Sequence, residues 1–235
     1  AFPSLSPRLS MYVALHLPYL HSADAIGRID KSTLSQQTLM ELFIGNMTNN
    51  DFICGPADNP RNLSQWKGVY LDDTHNVIQI HWSHVKLGGS IALQWLPSTV
   101  KMVVMEKKEY TSDWMVGTLD LTALPHTLDY LRLPGHFFDG EISLTTLPDK
   151  MEYLNVCFNK LGGSLDLTRL PSAMKFLGLS WNVFQGVTDF SQLPASLEVL
   201  DVSHNTSLQG VIHLESRESE FANVDATEIG VEYLK

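Results

Sequence analysis

The dipeptide Leu-Pro recurs in one series at 96–97, 124–125, 147–148, 170–171 and 193–194, whose prolines lie 28, 23, 23 and 23 residues apart. No other feature constrains the fold as much. A unit in the low twenties is too short to enclose its own apolar side chains. Copies must lie against one another and share a core. With 44% hydrophobic and 18% charged residues, the chain has the means to build one.

Aligning on the dipeptide exposes the rest of the unit. The fourth copy reads Met151-x-x-Leu154-x-Val156-x-x-Asn159-x-Leu161-x-Gly163-x-Leu165-x-Leu167-x-x-Leu170-Pro171. The fifth matches with Leu177, Leu179, Asn182, Phe184 and Gly186, and the sixth with Leu200, Val202, Asn205, Leu208 and Gly210. The third carries Leu131, Leu133, Phe138 and Gly140, the first Ile80, Trp82, Leu87 and Gly89. The second copy has Val103 and Met105, then an insert, "EKKEYTSDW", that accounts for the 28-residue interval.

Leu154 and Val156 are two residues apart, so on a short strand they share one face. Asn159 follows where the chain leaves the strand, and its amide can bond backbone groups of its own turn and of a neighbouring coil. Gly163 suits a backbone conformation other residues resist, and proline fixes φ at the return to the next strand. The first three copies place Val85, Lys108 and His136 where the later ones have asparagine. A less regular N-terminal half is expected.

The pattern LxxLxLxxNxLxGxL, over about residues 66–214, resembles the leucine-rich repeat family in its plant-type and protist-type form. The resemblance implies an α/β repeat solenoid, right-handed, with a parallel β-sheet on the concave face. It also implies a mostly irregular or 3-10 convex side and a helical N-terminal cap. Residues 1–65 read as an N-terminal arm and cap, with a helix over 32–46 started by Thr33 and Gln36 and stopped near Gly45. Trp66-x-Gly68-Val69 resembles the W-x-G-V stretch of plant-type caps, although the cysteines that flank it in that family are missing. Residues 215–235, rich in Glu, read as an acidic C-terminal cap and a degenerate last coil.

A net charge of −10 and the lack of a basic stripe argue against nucleic acid as a partner. No run approaches the ~20 apolar residues of a membrane span. Cys54 and Cys157 form no CxxC pair and read as two thiols, Cys157 on an open strand surface; this leans towards a reducing compartment. Three N-x-[ST] sequons, at Asn46, Asn62 and Asn205, keep a secreted location as the alternative. No phosphate-binding, nucleophile-elbow or zinc-protease motif is present, and His81 and His84 read as surface histidines. The expectation is a non-enzymatic chain with no catalytic residues, no cofactor and no metal.

Binding residues follow from the repeat. Two positions per coil should face outward on the concave wall: Gln79, Met102, Tyr130, Tyr153, Phe176 and Val199 in one column, and His84, Lys107, Gly135, Phe158, Trp181 and His204 in the other. The candidate partner-binding residues are Tyr130, Arg132, Tyr153, Asn155, Phe158, Phe176, Trp181, Asp201 and His204. Clustered exposed aromatics have the composition of an interface core. The function expected is a protein-interaction module, a scaffold or subunit of a larger assembly; the alternative is an extracellular or receptor-ectodomain recognition domain.

Overall fold

The computed structural model describes residues 30–107, 113–214 and 221–233. The N-terminal arm up to residue 29, part of the insert (108–112) and the acidic stretch 215–220 lie outside the described residues.

The strand leucines stack as their spacing requires. Leu131, Leu154, Leu177 and Leu200 are partners on adjacent parallel strands, and all are fully buried. They belong to an inner sheet of eight strands: Val69–Leu71, Val77–His81, Met102–Val104, Tyr130–Arg132, Tyr153–Asn155, Phe176–Gly178, Val199–Asp201 and Ala222–Asn223. Every pairing is parallel except the first, where Val69–Leu71 runs antiparallel to Val77–His81. Each of the five repeat-marking Leu-Pro pairs ends in the same tight turn. Val100, Leu128, Met151, Met174 and Leu197 donate their amides to the carbonyls of Pro97, Pro125, Pro148, Pro171 and Pro194.

The other wall carries more sheet than the repeat pattern suggests. Two 3-10 turns, Leu93–Trp95 and Leu121–Ala123, are joined by a second parallel sheet of six strands: Val116–Thr118, Phe137–Glu141, Lys160–Gly163, Val183–Asp189, Ser207–Leu214 and Glu228–Tyr233. In Val183–Asp189, Phe184 and Thr188 face in and Val183, Gln185 and Val187 face out, as on a half-buried strand, with Gly186 between them exposed. One core runs between the sheets, from Phe43 and Ile53 near the N-terminus to Leu208, Ile212 and Leu214.

Asparagine ties the coils together. Asn159 donates to the carbonyls of Val156 and Cys157 in its own turn and of Leu133 in the preceding coil, and accepts from the amide of Phe138. Asn182 and Asn205 repeat the set on Val156 and Leu161, and on Leu179 and Phe184. Asn205 is completely buried with its amide fully engaged, so a glycan there is incompatible with the folded coil.

At the N-terminal end, the helix α1 (Gln36–Phe43) is shorter than 32–46, and its cap is Ser35, whose hydroxyl accepts from the Thr38 amide, rather than Thr33. Asp30 caps a separate 3-10 turn, Lys31–Thr33. Gln36 attaches the helix to the first coil by accepting from the Val77 amide. Cys54 and Cys157 are both thiols and both buried. The open-surface expectation for Cys157 is therefore corrected: Gly178, its neighbour in the next coil, has no side chain, and a Cβ there would come within 2.9 Å of the Cys157 sulfur. Cys157 folds into that hollow and accepts a hydrogen bond from the Ser180 hydroxyl.

Replacing Asn182 with Ala removes four hydrogen bonds across two coils: the Leu161 amide loses its acceptor, and the Val156, Leu179 and Ser180 carbonyls are left with Asn159, Asn205 and the Phe158 amide alone. Thermal or denaturant unfolding should show a loss of about 3 kcal/mol, well beyond that of an exposed substitution such as Gln185→Ala.

Candidate functional site

The register that stacks the leucines also stacks the outward-facing rings. Tyr130, Tyr153 and Phe176 are direct cross-strand partners. Their rings lie face to face at 4.2 and 4.3 Å, within 10° of parallel. A second ladder, Phe158, Trp181 and His204, stacks at 5.4 and 3.9 Å. It arises from the turn out of each inner strand, where these three residues hold left-handed backbone angles, φ 57°, 54° and 55°. That geometry lifts them off the sheet and leaves Phe158 at 55% and Trp181 at 48% exposure. The first ladder is half-buried.

Polar groups brace the first ladder. Arg132 pairs with Glu106 and donates a hydrogen bond of 2.9 Å to the Tyr153 hydroxyl. Burial, then the neighbouring Tyr153, pushes the Tyr130 phenol above its ordinary range, so it stays protonated. At the rim Glu152 and Lys175 pair at 2.7 Å; the hydrogen bond from Lys175 to Glu152 raises the lysine's pKa. Asp201 stands apart and accepts from the backbone and hydroxyl of Ser203. Asn155 does not face outward as expected. It is 8% exposed, leans into the hollow over Gly178, and accepts from the Cys157 amide. The structure thus joins Tyr130, Arg132, Tyr153 and Phe176 in one group and Phe158, Trp181 and His204 in another, and removes Asn155 from the surface.

A third aromatic group escaped the repeat analysis. Trp114, in the insert, stacks on Phe137 at 3.9 Å. Lys107 lies over the Trp114 ring, and Lys160 over Phe137 at 4.0 Å. Their only sequence signal was an aromatic in the insert one residue before the apolar Met115. Beside them, His136 takes the asparagine position of its coil. Its Nε2 bonds the Met105 carbonyl, as the asparagines bond the preceding coil, while Nδ1 has no partner. Burial holds this imidazole down at about 4, hence neutral. No cluster of three or more His, Cys, Asp or Glu able to hold a metal occurs among the described residues.

No family model and no curated protein matches the chain. Solved structures do. The pollen receptor kinase 3 structure superposes with a TM-score of 0.63 at 18% identity, covering 82% of this chain and 95% of that one. The leucine-rich repeat ectodomain of the receptor kinase SOBIR1 from Arabidopsis thaliana gives 0.57 at 20% identity, covering 75% and 95%. A plant ice-binding protein gives 0.60 at 17% identity, covering 85% and 77%. The chain folds as a leucine-rich repeat solenoid.

His136 makes stability depend on pH. The unfolded imidazole takes up a proton below its ordinary value of 6.5, whereas the folded one resists until about 4. Between those values the unfolded state binds more protons, so unfolding free energy should fall as pH falls, by up to about 3 kcal/mol in all. His136→Asn, restoring the amide of the later coils, should flatten that slope in denaturant titrations at pH 4 and 7.

Proposed function

We propose that the concave wall of coils three to six binds a protein partner, with Phe158 and Trp181 as the anchors and Tyr130, Tyr153, Phe176 and Arg132 as a stiff platform beside them. The observation that carries this reading is the exposure of two large stacked rings on adjacent coils. A folded chain gains by covering such rings, and aromatic anchors in the middle of an interface commonly carry a large share of its affinity. The ladders are already ordered by stacking and by the Arg132–Tyr153 bond, so little side-chain freedom is lost on binding. His204 and Asp201 extend the wall towards the C-terminal coils, and the Glu152–Lys175 pair supplies a polar rim.

Two settings fit such a wall. A subunit held in a larger assembly matches two buried thiols with no bridge between them. A recognition domain outside the cell matches the fold likeness to the SOBIR1 receptor-kinase ectodomain, and Asn46 and Asn62 are exposed at their sequons. We favour the first, because no disulfide supports the cap.

The test is affinity purification of the intact chain beside a Phe158→Asn/Trp181→Asn double variant. Asparagine tolerates the left-handed backbone angle these sites require, so the melting temperature should change little while the copurifying protein is lost. Retention of the partner by the double variant would overturn the proposal.

A further inference from the structure

The exposed ladder of Phe158, Trp181 and His204 stops one coil before its column does. The amides of these three residues bond the carbonyls of Ser180, Ser203 and Asp225, so Ala226 holds the next place in the column. Its backbone takes the same left-handed angle, φ 52° against 57°, 54° and 55°. It contributes a methyl group instead of a ring, and it is exposed. His204 thus has one ring face on Trp181, at 3.9 Å, and the other turned to the space above Ala226. One coil spacing, about 4.8 Å, admits a single flat group against that face.

Two carboxylates border this place. Asp225 immediately precedes Ala226, and Asp201 lies three residues before His204 on the inner strand. Oδ1 of Asp201 accepts from Ser203, which leaves Oδ2 for another donor. Nothing of opposite sign competes for them. Beyond Lys175 the described residues include Asp189, Glu198, Asp201, Asp225, Glu228 and Glu232 and no lysine or arginine. The other end of the ladder differs. There Phe158 borders a groove of about 790 Å³ whose lining holds Lys107 and Lys160 and no carboxylate.

We propose that the open face of His204 takes an arginine side chain of the protein partner, its guanidinium stacked on the imidazole above Ala226 and its N–H groups on Asp201 and Asp225. This rests on the reading that a protein binds the concave wall. A guanidinium is flat, cationic and rich in donors at once, so it can lie on a ring and fork onto carboxylates in one pose. An ammonium group has no flat face to lay on the ring. An uncharged ring would stack but would desolvate the carboxylates without pairing them. The inference also gives the partner a direction: its basic end lies over coils six and seven.

The experiment titrates the intact chain with N-acetyl-arginine amide, N-acetyl-citrulline amide and N-acetyl-lysine amide, followed by calorimetry and by the NMR shifts of the His204 ring. Citrulline keeps the shape of arginine without its charge. The arginine amide should bind at least tenfold tighter than either of the others. Ala226→Phe should abolish that binding by filling the place; coils four to six already hold Phe, Trp and His at the same backbone angle. Asp201→Asn/Asp225→Asn should weaken it tenfold or more. Asparagine suits the first site, because Asn155 and Asn223 stand there in coils four and seven and accept from the amide two residues on, as Asp201 does. In affinity purification both variants should lose the copurifying protein. The proposal is overturned if the citrulline or lysine amide binds as tightly, if binding survives either variant, or if both variants keep the protein in full. Should Phe158→Asn/Trp181→Asn release the protein while these variants keep it, the arginine place fails and the protein-binding wall stands.

Discussion

One side-chain amide decides whether the coils of this chain can lie together. A solenoid buries the backbone where the chain leaves each inner strand, and the Val156, Leu179 and Val202 carbonyls there are met by side-chain amides. Asn159, Asn182 and Asn205 each bind two carbonyls of their own turn and one of the coil before, and return an acceptor to the coil before. The leucine core supplies the driving force for stacking, but it is non-directional. The amides fix the spacing and register at which that force acts.

The wall inherits that register. Tyr130, Tyr153 and Phe176 stack because Leu131, Leu154 and Leu177 do. Phe158, Trp181 and His204 stack because the turn preceding each asparagine position takes the same left-handed angle. An array of exposed aromatics is thus a by-product of core geometry, available for binding without a dedicated loop. Where the asparagine is lost the regularity loosens. His136 makes only the inter-coil bond of the set and leaves one nitrogen unpaired. The same coil holds Gly135 and borders the insert with Trp114, so the departures from the repeat gather around the groove.

Much of this was legible in the residues. The stacking of Leu154, Leu177 and Leu200 follows from a period of 23 and a spacing of two. The asparagine role follows from its place at the strand exit. What was not legible depended on contacts between coils that no single repeat shows. Asn155 and Cys157 alternate as exposed residues should, yet both fold inward because Gly178, one coil on, leaves a hollow. The helix start moved from Thr33 to Ser35 because Asp30 captures the earlier residues in a turn of their own. The second sheet was hidden because its strands begin with exposed residues, such as Lys160 and Val183, that carry no leucine signature.

Deleting one coil tests the central claim most directly. Removing the 23 residues 151–173 joins Lys150 to Met174 and returns each column to register with Leu131 beside Leu177. The account predicts a chain that still unfolds in one cooperative transition and keeps its β circular-dichroism spectrum, whereas removal of 20 residues from the same place abolishes both. Equal tolerance of the two deletions, or equal collapse, would contradict it.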